Sequence, residues 1–385
     1  MSDWSLIPQS INVSDWILNL IHILEADRDP STTHLHHYDK KDILELLHIR
    51  HLPPIFYYSH QQEYSLYVER IKQQLPPTSA FVLCCRNPAR FQRMFRMTIP
   101  EFYILFSELD PYICRVHPQS EQRSSTYRSR TIASVDQLLL WLLRSDGNDV
   151  NLVGLLFNDI HRKTVDIIAD HVTQAILDCW SVEIEWPDPE QRQSLYGFLS
   201  TYDKVVGIMD GTHCQIEVPT YDEYDYFSGY KGYHTQNYLI CVDALGLVIY
   251  LNGPYAGRGN DRSAFNQTPF VQHMCSLLSE GEIIMADGGF AGPGHILHQF
   301  VSNDFKGVTE DQRARMERFN EDFILNRSLV EHCIHRVKNR VKSLQKRFSR
   351  ALERQDDLVK AACCVYNRQR RLRIEYQLKI VNKQT

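Results

Sequence analysis

Two apolar runs in this chain stop on an aspartate, and this repeated device constrains the fold more than any other feature. In "KVVGIMDGTH", Val205, Val206, Ile208 and Met209 form a hydrophobic run that Asp210 ends. In "EIIMADGGF", Ile283, Ile284 and Met285 do the same before Asp287. One such ending is an ordinary turn, because Asp and Gly are common strand-ending residues. Two of them predict neighbouring buried strands whose carboxylates meet at one edge of a sheet.

The surrounding texture supports that reading. "YHTQNYLICVDALGLVIYLNGPY" reads as two strands joined by an Asp-Ala-Leu-Gly hairpin turn. "RSAFNQTPFVQHMCSLLSEG" reads as a helix, and a last helix from Arg327 to Leu352 closes the unit. Strands alternating with helices indicate an α/β fold, here a mixed sheet flanked by helices. On the last helix Val330, Ile334, Val337, Val341, Leu344 and Phe348 recur at three- and four-residue steps, giving one apolar seam with Glu331 beside it.

Upstream, residues 131 to 180 read as three helices with short links, the outline of a helix-turn-helix region. The second carries Leu152, Leu155 and Leu156 on one face, and the third has apolar residues at 165, 168, 172 and 176. His161, Arg162, Lys163 and Thr164 then open the third helix, where a recognition helix meets DNA; a plain helical bundle is the competing outcome. "RMFRMTIPEFYILFSELDPYI" (93–113) leads into a helix with Pro100 in its first turn. Residues 1–92 contain amphipathic helical pieces and no motif.

A chain of 385 residues with 43% hydrophobic and 23% charged residues has the composition of an ordinary folded protein. It has no apolar run long enough for a bilayer and no secretory pattern at its start, so no membrane contact is expected, and an interior location is. The ten cysteines lack CxxC spacing and favour neither zinc nor a disulfide framework. The net charge of −5 hides an asymmetry: from Arg327 onward 16 Lys and Arg face 5 Asp and Glu, +11, so the rest carries −16. Arg336, Lys338, Arg340 and Lys342 crowd the last helix, which predicts either a polyanion contact or a solvated helix face.

Converging carboxylates repel one another unless a cation neutralises them. Nearby arginines are one answer; a divalent metal is the other, and ligation by oxygen alone suits Mg²⁺ or Mn²⁺. A pair of such ions is the arrangement for in-line attack on a phosphodiester.

The residues that carry these acids resemble the PIF/Harbinger group of DDE-type transposases over roughly residues 93–370, most strongly from 205 to 345. "DGTH" at 210–213 is similar to the family's first catalytic motif. "DYFSGYKGYHTQNYLICVDALGLVI" is similar to its "YYSGxKxxHxxN" stretch, and "GRGNDRSAF" resembles its "PGSxHDS" loop, with Asp261 on the acid. "ADGGF" stands where "GDSGY" is usual. "RFNEDFILNRSLVEHCIHRVKNR" is similar to "FNxxHSxxRxxIERxFGxLKxR", which puts Glu331 on the catalytic glutamate. Phe323 stands where that motif has His, and "GRGND" lacks the usual Pro-Gly-Ser-x-His, so a catalytically silent, domesticated DNA- or protein-binding derivative is the alternative.

The resemblance implies an RNase H-like catalytic core over 200–370, preceded by an all-α helix-turn-helix region over 93–185 and followed by a basic tail over 371–385. It implies a metal-dependent DNA endonuclease or transposase with Asp210, Asp287 and Glu331 catalytic. Asp210, Asp261, Asp287 and Glu331 are implied as ligands of Mg²⁺ or Mn²⁺, Asp287 taking the second place of the triad. Arg162, Lys163, Arg336, Lys338, Arg340 and Lys342 would contact DNA. A Myb-like DNA-binding partner, a nuclear location and a homo-oligomer complete the expectation.

Overall fold

The change of texture near residue 205 is a change from helices to a sheet. The computed structural model describes residues 61–384, apart from 76, 78, 116–131, 200–203 and 291–294. The helical pieces expected before residue 61 lie outside the described residues.

The first part is helical: α1 (Gln61–Gln74), α2 (Ala80–Cys84), α3 (Pro88–Phe95), α4 (Ile99–Arg115), α5 (Ser134–Ser145), α6 (Val150–Leu156), α7 (Arg162–Trp180) and α8 (Pro189–Ser194). Local chemistry starts these helices. Asn87 caps α3 with Pro88 behind it, Asp149 caps α6, and His161 caps α7 through the Lys163 N–H. The predicted stripe of α7 is buried at Val165, Ile168, Val172 and Ile176. On α6 the outcome differs. Leu152, Leu155 and Leu156 are exposed, while Val153 and Gly154 face inward. Gly154 determines this: a Cβ there would lie 2.4 Å from the Ile160 carbonyl oxygen, so only glycine lets the α6–α7 link approach so closely.

The second part contains β1 (Val205–Gln215), α9 (Glu223–Tyr226), β2 (Phe227–Ser228), β3 (Tyr233–Val242), β4 (Val248–Ala256), α10 (Asp261–Asn266), α11 (Pro269–Leu277), β5 (Ile283–Ala286), β6 (Ile296–Leu297), α12 (Glu310–Arg340) and α13 (Leu352–Gln384). The sheet runs β4-β3-β1-β5-β6, with β2 also on β3. β1 and β4 are antiparallel to β3, whereas β5 is parallel to β1 and β6 to β5. This mixed sheet between helices is consistent with an RNase H-like core. Alternation sorts its side chains. Ile208, Val242 and Met285 join the core that holds Val330 and Val337 of α12. Met209, Leu239, Ile284 and Ala286 pack with Phe265 and Phe270 on the other face.

Three expected elements change. β1 does not end at Asp210; it continues to Gln215, because β3 pairs with it as far as Gln215↔Thr235. The helix expected over 262–281 breaks at Thr268, whose hydroxyl caps α11 ahead of Pro269. The last helix ends at Arg340, and the seam residues Val341, Leu344 and Phe348 stay buried in a non-α segment that lies along the end of β1.

One apolar core runs from Val68 to Ile374, so the boundary expected at 92 is not a packing boundary. Nor does a separate tail begin at 371, since α13 continues to Gln384. Asn367 of α13 seals β4: its amide accepts from the Val248 N–H (2.8 Å) and donates to the Val248 carbonyl (2.7 Å).

Part of the basic stretch is used inside the molecule. Arg350 pairs with Asp170, Arg368 with Glu108, Arg371 with Glu183 and Arg373 with Glu101, all acids of the helical part. Much of the charge asymmetry is therefore matched inside the molecule, joining the two parts.

Candidate active site

Asp210 lies at a fork. The parallel register of β1 and β5 ends at Met209↔Ala286, while β1 continues with β3 alone. Asp210 and Asp287 are the next residues of the two strands, so the fork sets them at one level. Adjacent strands are about 4.8 Å apart. Each acid accepts a hydrogen bond from the next N–H: Gly211 to Asp210 (2.9 Å) and Gly288 to Asp287 (2.8 Å).

α12 supplies the opposing groups. Arg327 and Glu331, one helical turn apart, form an ion pair, and Arg327 also lies 3.9 Å from an Asp210 oxygen. Asp261 comes from the other side. Asn260, not Asp261, caps α10, which leaves the Asp261 carboxylate to accept from the Asn237 amide at 2.9 Å. It lies against Gly211, where any Cβ would fall 2.2 Å from an Asp261 oxygen. The glycine of "DGTH" is therefore a steric requirement of this acid.

Burial pushes the Asp210 carboxyl up to about 6; Asp261 and Glu331 add to this, against Arg327 and the Gly211 N–H. Like charges thus converge on Asp210, with the Arg327 guanidinium among them. His213, further along β1, is held by the Thr235 hydroxyl at 2.8 Å. Burial pushes its imidazole pKa down, Asp261 opposes this, and Lys231 and Lys338 reinforce it.

The expected DNA-contacting cations fall into two sets. Arg162 and Lys163 are exposed at the start of α7, and Arg336 is exposed on α12. Arg340 is not a surface cation: it donates to the Phe95 carbonyl (2.6 Å), the Arg96 carbonyl (2.9 Å) and Gln369. Carbonyls left open beyond α3 hold it as a tether. Lys338 donates to the His213 carbonyl (2.6 Å), and Lys342 pairs with Asp146 (3.4 Å). Sequence reasoning passed over Arg327 and Asn237, although both stand in the quoted motifs, as the R of "RxxIE" and the N of "HxxN".

Residues 209–367 match the family described as DDE superfamily endonuclease. The matched stretch contains Asp210, Asp261, Asp287 and Glu331, and it supports the DDE transposase superfamily and an endonuclease function for this part of the chain. No curated protein and no solved structure matches the chain.

A divalent metal is implied by that superfamily. Among the described residues no three His, Cys, Asp or Glu side chains stand together as a ready-made metal-holding group. The donor chemistry does fit: the acids around Asp210 offer carboxylate oxygens alone, the choice of Mg²⁺ and Mn²⁺. A guanidinium lies between two of them.

Proposed function

We propose that this chain is a divalent-metal-dependent DNA endonuclease of the DDE type, of the PIF/Harbinger kind. Asp210, Asp287 and Glu331 are its catalytic acids and Asp261 a further metal ligand. The observation that carries the reading is Asp210: a half-buried acid at the β1–β5 fork, held by one N–H and a guanidinium at 3.9 Å and facing two more carboxylates within the matched stretch. Bound Mg²⁺ or Mn²⁺ would supply activation of the attacking water and stabilisation of the leaving oxygen.

The chain's own groups hold that site in order. The rigid strand pair fixes Asp210 and Asp287, and Asn237 orients Asp261. Arg327 balances Asp210 and Glu331 and lies on the same turn of α12 as the glutamate. Exposed Arg162, Lys163 and Arg336 would meet the phosphate backbone, with α5–α7 in a helix-turn-helix role. Strand transfer, a Myb-like partner, self-association and a nuclear location rest on the resemblance alone.

Replacing Asp210 by Ala is expected to abolish Mg²⁺-dependent nicking while the fold survives; undiminished cleavage by that variant overturns the assignment. One observation favours a second reading. Arg327 already ion-pairs with the acids, as it would in a silent DNA- or protein-binding derivative. Salt-dependent DNA binding without cleavage in any divalent metal would select it.

A further inference from the structure

Between β1 and β3 the chain carries "TYDEYDYFSGYKGYH", in which an aromatic ring recurs at every third residue: Tyr221, Tyr224, Phe227, Tyr230 and Tyr233. All five are exposed, Tyr221 by 81%, Tyr224 by 70% and Tyr230 by 88%. None of the five rings packs on another of the five. Phe227 meets His234 edge-on at 5.4 Å. Cations lie over two of the faces, Arg258 over Tyr224 (4.0 Å) and Lys231 over Tyr230 (4.6 Å). Five exposed rings on one short segment, folded back at the β2–β3 hairpin, mark an interaction surface.

We propose that this row is a stacking platform for unpaired DNA bases beside the scissile phosphodiester. The inference rests on the endonuclease reading of the carboxylate site. Three observations select this occupant. The row runs directly into β3, where Thr235 holds His213 and Asn237 holds Asp261. From Tyr233 to Asn237 the strand covers roughly 13 Å at ~3.3 Å per residue, the reach of a few nucleotides. Rings flanked by Lys and Arg are the chemistry that binds single strands, because every base has a π-face. Lastly, Asp222, Glu223 and Asp225 lie among the rings. They repel a duplex, which brings two phosphate backbones, more than an open strand whose bases face the tyrosines. The row therefore selects frayed or overhanging ends over blunt duplex.

The test uses the full-length protein and two labelled DNAs, one blunt and one with a four-nucleotide overhang containing 2-aminopurine. The wild type is expected to bind the overhang roughly tenfold more tightly than the blunt duplex and to quench the 2-aminopurine, as stacking does. Tyr224→Ala with Tyr230→Ala should remove the preference and the quenching, while Tyr224→Phe with Tyr230→Phe should keep both. Equal affinity for the two DNAs in the wild type, or an unchanged preference in the alanine variant, overturns the proposal and leaves the row as a protein-binding surface. Nicking of closed-circular duplex by wild type and by Asp210→Ala tests the carboxylate site separately, so failure of one reading is distinguishable from failure of the other.

Discussion

Glu282 is a buried acid and Asp210 a half-buried one of the same sheet region, and their surroundings differ in kind. Glu282 has an accessible side-chain area of 0% and Arg192, its partner, 3%. It accepts from the Arg192 guanidinium (2.9 Å), the Tyr196 hydroxyl (2.7 Å) and the Ser279 N–H (2.7 Å). Burial alone would raise its pKa, but these donors hold the carboxyl below the usual range. Asp210 has one N–H and a guanidinium at 3.9 Å, and its carboxyl is held high. A satisfied buried acid serves the fold. One with a raised pKa beside two more acids, open in part to solvent, is placed to meet a cation.

The sharpest way to break this contrast is activity. Asp210→Asn should take Mn²⁺-dependent nicking of supercoiled DNA to background without lowering the melting temperature. If nicking persists, Asp210 is no more functional than Glu282. The next largest effect is on stability. Glu282→Ala strands the Arg192 charge and should cost about 3–5 kcal/mol in urea unfolding; a loss below about 1 kcal/mol removes the contrast from its other side.

A third effect has the opposite sign. The folded state holds the Asp210 proton more tightly than the unfolded chain, about 6 against 3.8. This favours folding fully below pH 3.8 and is lost as pH rises through 6. At pH 7 the ionised carboxylate therefore opposes folding, by up to about 3 kcal/mol at 1.36 per pH unit. Asp210→Asn should accordingly melt above wild type at pH 7, with the gap closing by pH 4. A gap that widens toward low pH contradicts the assigned electrostatics. The smallest effect belongs to Glu331, whose exposed side chain should allow Glu331→Gln to stay within about 0.5 kcal/mol of wild type in urea, although its nicking should fall.

Much of this was legible in the residues. The runs before Asp210 and Asp287 announced adjacent strands because fully buried strands read as continuous apolar stretches. The Asp243–Gly246 turn was legible from its residue types, and Gly246 does adopt a positive φ of 69°. The extension of β1 past Asp210 was not, since its polar second half is held by pairing with β3, a long-range partner invisible to local pattern. The exposed face of α6 was misleading for a similar reason: three leucines outweigh one glycine in composition, but a backbone approach within a few Å decides which side packs. The internal pairing of Arg350, Arg368, Arg371 and Arg373 was not legible, because their acid partners, Asp170, Glu108, Glu183 and Glu101, are far away in the chain. Arg327 gave no signal of its own, since an arginine one turn from a glutamate is common on any helix.

The role of that cation sharpens the comparison further. Removing the guanidinium with Arg327→Gln takes a positive charge from beside Asp210 and should tighten Mn²⁺ binding by at least roughly fivefold, the ~1 kcal/mol of unit charges about 4 Å apart in water. Unchanged affinity would mean that Arg327 and the metal do not meet.

The most direct measurement is a calorimetric Mn²⁺ titration of the full-length protein without DNA, run in parallel on wild type and Asp210→Asn. Saturable binding by wild type that weakens at least about tenfold in the variant is the predicted result. Equal binding by the two proteins, or none by wild type, contradicts the claim that these carboxylates exist to hold a divalent ion.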